Sequence, residues 1–201
     1  MNAKAVQKER THNAILASAS KLLRTRGIAG ANIVDIMKGT GLTVGGFYAH
    51  FASKDALVAD VLRQALGEMS ALLFDGLEED GSSERLKKML RRYLTPKHRD
   101  NPEMGCPLPA VASELSTTAA VPEHRECLAD ELSKWAAEMG DRAPTVDQIS
   151  PRHLGLALIA VMFGGLCLSR AVAGTRLSDE ILRACKSFGQ LGVAASLGER
   201  S

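Results

Sequence analysis

Between Asn32 and Phe51 the chain has room for two short helices joined by a tight turn, and for little else. Asn32 can cap a helix through its side-chain oxygen, and Asp35 places negative charge at the positive end of that helix. Ile33, Ile36 and Met37 share one face at helical spacing. Gly39-Thr40-Gly41 stops this helix, and Leu42 anchors the turn. Thr43 stands where a third helix begins, expected to run to about Phe51, and Ser53 caps a fourth that opens with Lys54-Asp55. Upstream, Ile15, Ala19, Leu22 and Leu23 lie on one face of a longer helix expected from Val6 to Arg26, with Gly27 as its C-terminal cap. A long helix followed by two short ones across a glycine turn is the helix-turn-helix arrangement, whose second short helix enters the DNA major groove.

The rest of the sequence is punctuated in the same way, and no period-two strand pattern competes with it. A helix continues from Lys54 to about Leu77, and Glu78-Glu79-Asp80-Gly81 forms an acidic break. The next begins near Ser82 and carries Leu86, Met89, Leu90, Tyr93 and Leu94. A loop is expected from Pro96 to Pro107, then helices over Ala110 to Leu115 and Pro122 to Met139. Ser150-Pro151 opens an apolar helix that Gly174 closes, and Ser178 is expected to cap a last helix running to about Leu197. The fold class is therefore all-α: a three-helix helix-turn-helix domain over residues 1–55, followed by a helical bundle over residues 56–201.

Charge divides along the same line. Residues 1–60 carry eight Lys and Arg against four Asp and Glu, which leaves the remainder net negative by two in a chain of net charge +2. A basic head suits a polyanionic partner. The N-terminus is polar, without the apolar core of a secretory signal, and Cys106, Cys127, Cys167 and Cys185 form no CxxC pair. The expectation is a cytoplasmic protein with reduced thiols, no metal and no cofactor. Ser18-Ala-Ser-Lys21 matches SxxK but lies on an amphipathic helix, and GxSxG, HExxH, P-loop and GxGxxG patterns are missing, so an enzyme is not expected.

The segment Gly41-Leu-Thr-Val-Gly-Gly-Phe-Tyr-Ala-His-Phe-Ala-Ser-Lys-Asp-Ala-Leu57 resembles the DNA-binding signature of the TetR family of bacterial repressors. In that signature a small polar residue caps the recognition helix. A small–aromatic–Tyr–x–His–Phe run and Ser-Lys-acid-x-Leu follow it. The resemblance covers about residues 8–62. It implies duplex DNA contacts from Asn32, Lys38, Thr43, Val44, Gly45, Gly46, Tyr48, His50 and Lys54. Tyr48 and His50 can donate to phosphates and Lys54 adds a point charge, while Phe47 and Phe51 are expected to fill the small core. Two departures stand out. Val44 occupies a position often polar or charged in the family, and Gly46 one where a small polar residue is common, so sequence reading leans on methyl contacts from Thr43 and Val44, on Lys38 and on DNA shape.

The resemblance further implies a homodimer paired through the last two long helices. Leu158, Met162, Leu166, Ile181, Phe188, Leu191 and Val193 are the candidates for that interface. A small-molecule effector pocket is expected among the helices of residues 82–170, with Met89, Tyr93, Cys106, His124, Trp135 and Phe163 as candidate lining. Gly105-Cys106-Pro107 resembles a segment of a family subset, some members of which respond to electrophiles or oxidants. A thiol at a helix start is favoured as thiolate, which makes a Cys106 sensor one alternative function. A helical ligand-binding protein whose head no longer reads DNA is another.

Overall fold

The computed structural model describes residues 2–117 and 119–198, with the side chains of 191–198 left aside. Nine α-helices are described: α1 (Ala3–Gly30), α2 (Ile33–Thr40), α3 (Lys54–Phe74), α4 (Ser82–Tyr93), α5 (Pro96–Asp100), α6 (Leu108–Leu115), α7 (Pro122–Arg142), α8 (Pro151–Ala171) and α9 (Arg176–Gly198). A 3-10 turn spans Val44–Ala49 and another Pro102–Met104, and no strand occurs among the described residues. The all-α class follows directly from the spacing of caps and apolar residues in the sequence.

Two compact units emerge, and they do not follow the expected division at residue 55. One unit holds residues 1–66 and 102–128; the other holds residues 67–101 and 129–201. The reason lies in the core of the first unit. Ile15, Ala19 and Leu23 of α1, Ile36 and Met37 of α2, Phe47, Phe51, and Leu57, Val58, Val61 and Leu62 of α3 are buried together. Val111 and Leu115 of α6 and Cys127 of α7 complete this cluster. The N-terminal elements do not close this core alone; α6 and the start of α7 supply its remaining apolar wall.

In the second unit α8 packs along α9, and α4 also packs against α9. Leu86, Met89, Leu90, Tyr93, Trp135, Met139, Leu158, Met162 and Leu166 are buried there. Gly155 of α8 lies so close to the main chain of Ala136 in α7 that a Cβ would overlap it. Arg99 binds Ser178 Oγ at 2.7 Å and Asp179 at 2.6 Å, and Ser178 donates to the Ser169 carbonyl at 2.7 Å. Ser178 is therefore a buried link between α8 and α9 rather than the expected cap, since α9 already begins at Arg176. The expected loop over Pro96 to Pro107 contains α5, capped by Thr95 Oγ1 on the His98 amide at 3.0 Å.

Only one face of α8 is covered among the described residues. Leu154, Gly155, Leu158, Met162, Gly165, Leu166 and Ser169 face inward, while Leu156 and Leu168 are exposed, with Ala157, Ala160 and Ala171 beside them. It is the one helix among the described residues long and apolar enough to cross a bilayer. An all-round apolar helix implies burial on every side, which the described residues of one chain do not provide.

Candidate nucleic-acid interface

The interface is built from α1, α2 and the 3-10 turn. Asn32 caps α2 by accepting the Asp35 amide at 2.8 Å, and its own amide group donates to the Asp35 carboxylate at 3.1 Å. Arg26 holds that carboxylate from α1 at 3.1 Å. Ser18 of α1 donates to the Ile36 carbonyl at 2.8 Å, fixing α2 against α1. Both ends of the exposed Asn32 side chain thus make hydrogen bonds within the protein.

The turn after α2 is closed by Gly41 at φ 72°, the left-handed conformation that glycine adopts without a steric penalty. Its amide donates to the Lys38 carbonyl and the Leu42 amide to the Met37 carbonyl, the paired bonds of a Schellman motif. The Lys38 side chain is left exposed at the end of α2, with no hydrogen bond or ion pair among the described residues.

The expected third helix is a 3-10 turn. Thr43 has the extended backbone of a cap, but its hydroxyl makes no capping bond, and the Gly46 amide reaches the Thr43 carbonyl three residues back at 3.0 Å. Adjacent Gly45 and Gly46 each lower α-helix stability by about 1 kcal/mol relative to alanine, and so short a segment gains few i→i−4 bonds in return. Phe47 is fully buried and anchors the turn, its ring 5.7 Å from that of Phe51. Tyr48 points outward at 63% exposure and Val44 at 41%, with Thr43 and Gly45 also exposed.

His50 and Lys54 are both half-buried. His50 is half-buried, its Nδ1 is sealed from solvent without a partner among the described residues, and the His12 ring lies 6.1 Å away. Burial, then the nearby His12 and Lys8, pushes its pKa below the usual histidine value and favours neutral imidazole. Lys54 does not project as a free charge, because its ammonium donates to the Ile28 carbonyl at 2.7 Å. That carbonyl lies in the last turn of α1, whose C-terminal partial charge attracts the ammonium.

Two interactions of this unit escaped the sequence reading. Gly27, at φ 72° and ψ −174°, breaks α1 as its position suggested, yet helical residues resume to Gly30. They do so because Glu114 of α6 accepts the amides of Ile28 and Ala29, each at 2.8 Å. Nothing in the spacing of Glu114 and Ile28 signals a bond between them. His124, expected in an effector pocket, is buried here with Nε2 3.0 Å from the Asp55 carbonyl. It lines a cleft of about 270 Å³ together with Ile28, Asp55, Glu114, Leu115 and Val121.

The other candidate pocket residues separate between the units. Cys106 belongs with His124 in the first, while Met89, Tyr93, Trp135 and Phe163 belong to the second. Cys106 is fully buried. The candidate dimer residues divide as well. Leu158, Met162 and Leu166 point into their own chain's core, Ile181 is half-buried and Phe188 is 66% exposed. The Leu191 and Val193 side chains lie outside the described residues.

The geometry defines a helix-turn-helix head in which an exposed turn is held out on a buried aromatic anchor. Residues 15–61 match the family model of bacterial regulatory proteins of the tetR family. That match covers the helix-turn-helix head and the start of α3, less than half of the chain. An HTH-type transcriptional regulator of Bacillus subtilis (strain 168), YerO, is 31% identical over 86 residues, which is 43% of this chain and 29% of that relative. A TetR-family regulator from Cytophaga hutchinsonii has a similar structure, with TM-score 0.77 and 19% identity over 93% of this chain and 96% of its own. A TetR regulator from Chloroflexus aurantiacus J-10-FL gives TM-score 0.74 and 24% identity over 94% of this chain and 96% of its own. At such identities the structural likeness establishes the fold.

Proposed function

We propose that this protein is a one-component transcriptional repressor of the cytoplasm, which binds a palindromic DNA operator as a homodimer and is released by a small-molecule effector. The observation that carries the reading is the outward set of Thr43, Val44, Gly45 and Tyr48, presented on a turn fixed by Phe47 and by the Gly41 motif. Lys38 stands free at the preceding helix end to meet a phosphate. Asn32, His50 and Lys54 support the interface from inside: the first caps α2, the second offers a neutral imidazole, and the third ties α3 to α1.

Reading a palindrome requires two heads about one helical turn, roughly 34 Å, apart. A second copy would cover Leu156, Ala160 and Leu168 of α8 with Leu177 and Phe188 of α9, an apolar surface left open in the single chain. For the effector, Met89, Tyr93 and Trp135 are buried in the second unit, and the Trp135 indole N–H has no acceptor among the described residues. An effector bearing a carbonyl or hydroxyl would supply that acceptor.

Selection of bound fragments from random duplex DNA by the purified chain tests the reading. Recovery of one palindrome, bound less tightly by Lys38→Ala and Tyr48→Phe and with affinity falling steeply as salt rises, is the expected result. A folded dimer that enriches no sequence, with or without effector candidates, would instead favour a helical ligand-binding protein with a degenerate head.

A further inference from the structure

The cleft of about 270 Å³ in the first unit is bounded by residues from the ends of α1 and α6 and the starts of α3 and α7. Ile28, Leu115 and Val121 make its walls apolar, and Asp55 and Glu114 bring two carboxyl groups to it without a lining lysine or arginine. Two nearby cations are already engaged: Lys54 on the Ile28 carbonyl, and Arg125 on the carbonyls of Leu115 and Thr117. The Glu114 carboxylate accepts the Ile28 and Ala29 amides, whereas the Asp55 side chain is 52% exposed and approaches only His124 Nε2, at 3.8 Å, among the described residues. His124 adds a third acceptor. Its side chain is 1% exposed, and Nε2 lies 3.0 Å from the Asp55 carbonyl. A carbonyl only accepts, so Nε2 carries the proton and Nδ1 of the neutral ring keeps a lone pair, with no donor to it among the described residues. An acceptor buried so deeply costs free energy until a donor reaches it.

We infer that this cleft binds a small organic cation, an ammonium group on a short apolar body. The ammonium sits among Asp55, Glu114 and His124 Nδ1, and the apolar part rests on Ile28, Leu115 and Val121. An ammonium brings a positive charge and up to three N–H donors, which suits three acceptors of which two are anionic. An anion would meet two like charges, and a purely apolar molecule would leave the acceptors desolvated and unmade. The volume lies just below the range of small-molecule pockets, which starts at about 300 Å³, so the body of the ligand is a single ring or a short chain. Every lining residue belongs to the first unit, whereas Met89, Tyr93 and Trp135 belong to the second, so this site is separate from the effector region proposed above. It stands whether or not the chain binds duplex DNA.

Benzylammonium is the probe, with benzyl alcohol and benzoate as neutral and anionic controls of similar shape, titrated at fixed ionic strength into the full chain. Backbone amide resonances report where each one binds. Benzylammonium is expected to shift the Ile28, Ala29 and His124 amides saturably at millimolar concentration or below. It should bind at least about tenfold more tightly than benzyl alcohol, and benzoate should leave those amides unmoved. Asp55→Asn removes one charge at nearly constant size and is expected to weaken benzylammonium at least about tenfold with the melting temperature unchanged. Ala119→Leu, at an exposed lining position, narrows the cleft without altering a charge and is expected to weaken it as well. Equal affinity for benzylammonium and benzyl alcohol overturns the inference. So do shifts confined to residues outside the cleft, the absence of any saturable shift, or full affinity in both variants.

Discussion

The Glu114 carboxylate and the Ile28 amide meet at 2.8 Å, with the second carboxylate oxygen on Ala29, and Lys54 holds the Ile28 carbonyl from the other side at 2.7 Å. One peptide segment at the end of α1 is thereby fixed by residues of α6 and α3. Hydrogen bonds to a charged acceptor contribute more than neutral ones, and their loss strands two amides. Glu114→Ala is expected to destabilise the protein by roughly 2–4 kcal/mol in urea unfolding. Glu114→Gln, which keeps one good acceptor, should lose less. Equal stability in all three proteins would mean that water replaces the carboxylate without penalty.

Gly27 occupies a backbone region open to essentially no residue but glycine, and a side chain there would also collide with the Glu114 carboxylate. Gly27→Ala is therefore expected to cost about 3 kcal/mol or more, combining strain with loss of the Glu114 bonds. Combined with Glu114→Ala, the two changes should cost less than their sum, because they disrupt one contact. Full additivity in a double-mutant cycle would separate them.

On α8, neighbouring residues should report different things. Leu158→Ala removes a buried side chain and is expected to lower stability by about 2–5 kcal/mol. Leu168→Glu and Phe188→Glu alter exposed positions and should leave the monomer's fold intact while abolishing association in sedimentation. A dimer that survives both charges would place the interface elsewhere.

His98 links pH to stability. Burial, the largest influence, lowers its pKa; the Tyr93 carbonyl at 2.7 Å from Nδ1 opposes this, and Arg170 adds to the lowering. The unfolded chain thus binds a proton more readily than the folded one between the lowered folded value and the ordinary value near 6.5. Stability from this site is complete above that range and declines as pH falls through it. His50 acts in the same direction. Urea midpoints should fall between pH 7.5 and 5.5, and less so in His98→Phe; identical pH profiles would exclude His98 as a source.

Much of the head was legible because its signals are local. Asn32 capping Asp35, Ser53 capping Ala56 at 3.0 Å, and the Gly41 turn each involve residues a few positions apart whose chemistry admits few alternatives. Phe47 and Phe51 were recognisable as core by their alternation with polar neighbours, and both are buried. The 3-10 form of the Val44 turn was only half legible: the two glycines signalled a weak helix but not which weaker geometry would replace it.

What failed to appear in the sequence depends on distant segments. Lys54 reads as a free cation until Ile28 is brought beside it, and Glu114 reads as an ordinary helix acid until α6 docks on α1. The faces of α8 could not be told apart, since Leu156 and Leu158 are chemically alike and only the packing of α7 and α9 separates exposed from buried.

The sequence by itself determined the helices, the turn between α2 and the recognition segment, and the family of the head, because caps, glycine stops and 3.6-residue periodicity act within a turn or two of chain. Only the tertiary structure decided that residues 102–128 complete the head's core, that Glu114 and Lys54 fix the end of α1, and that one face of α8 is left uncovered. Those outcomes follow from burial and from hydrogen bonds between segments up to 86 residues apart, whose partners are set by packing rather than by spacing.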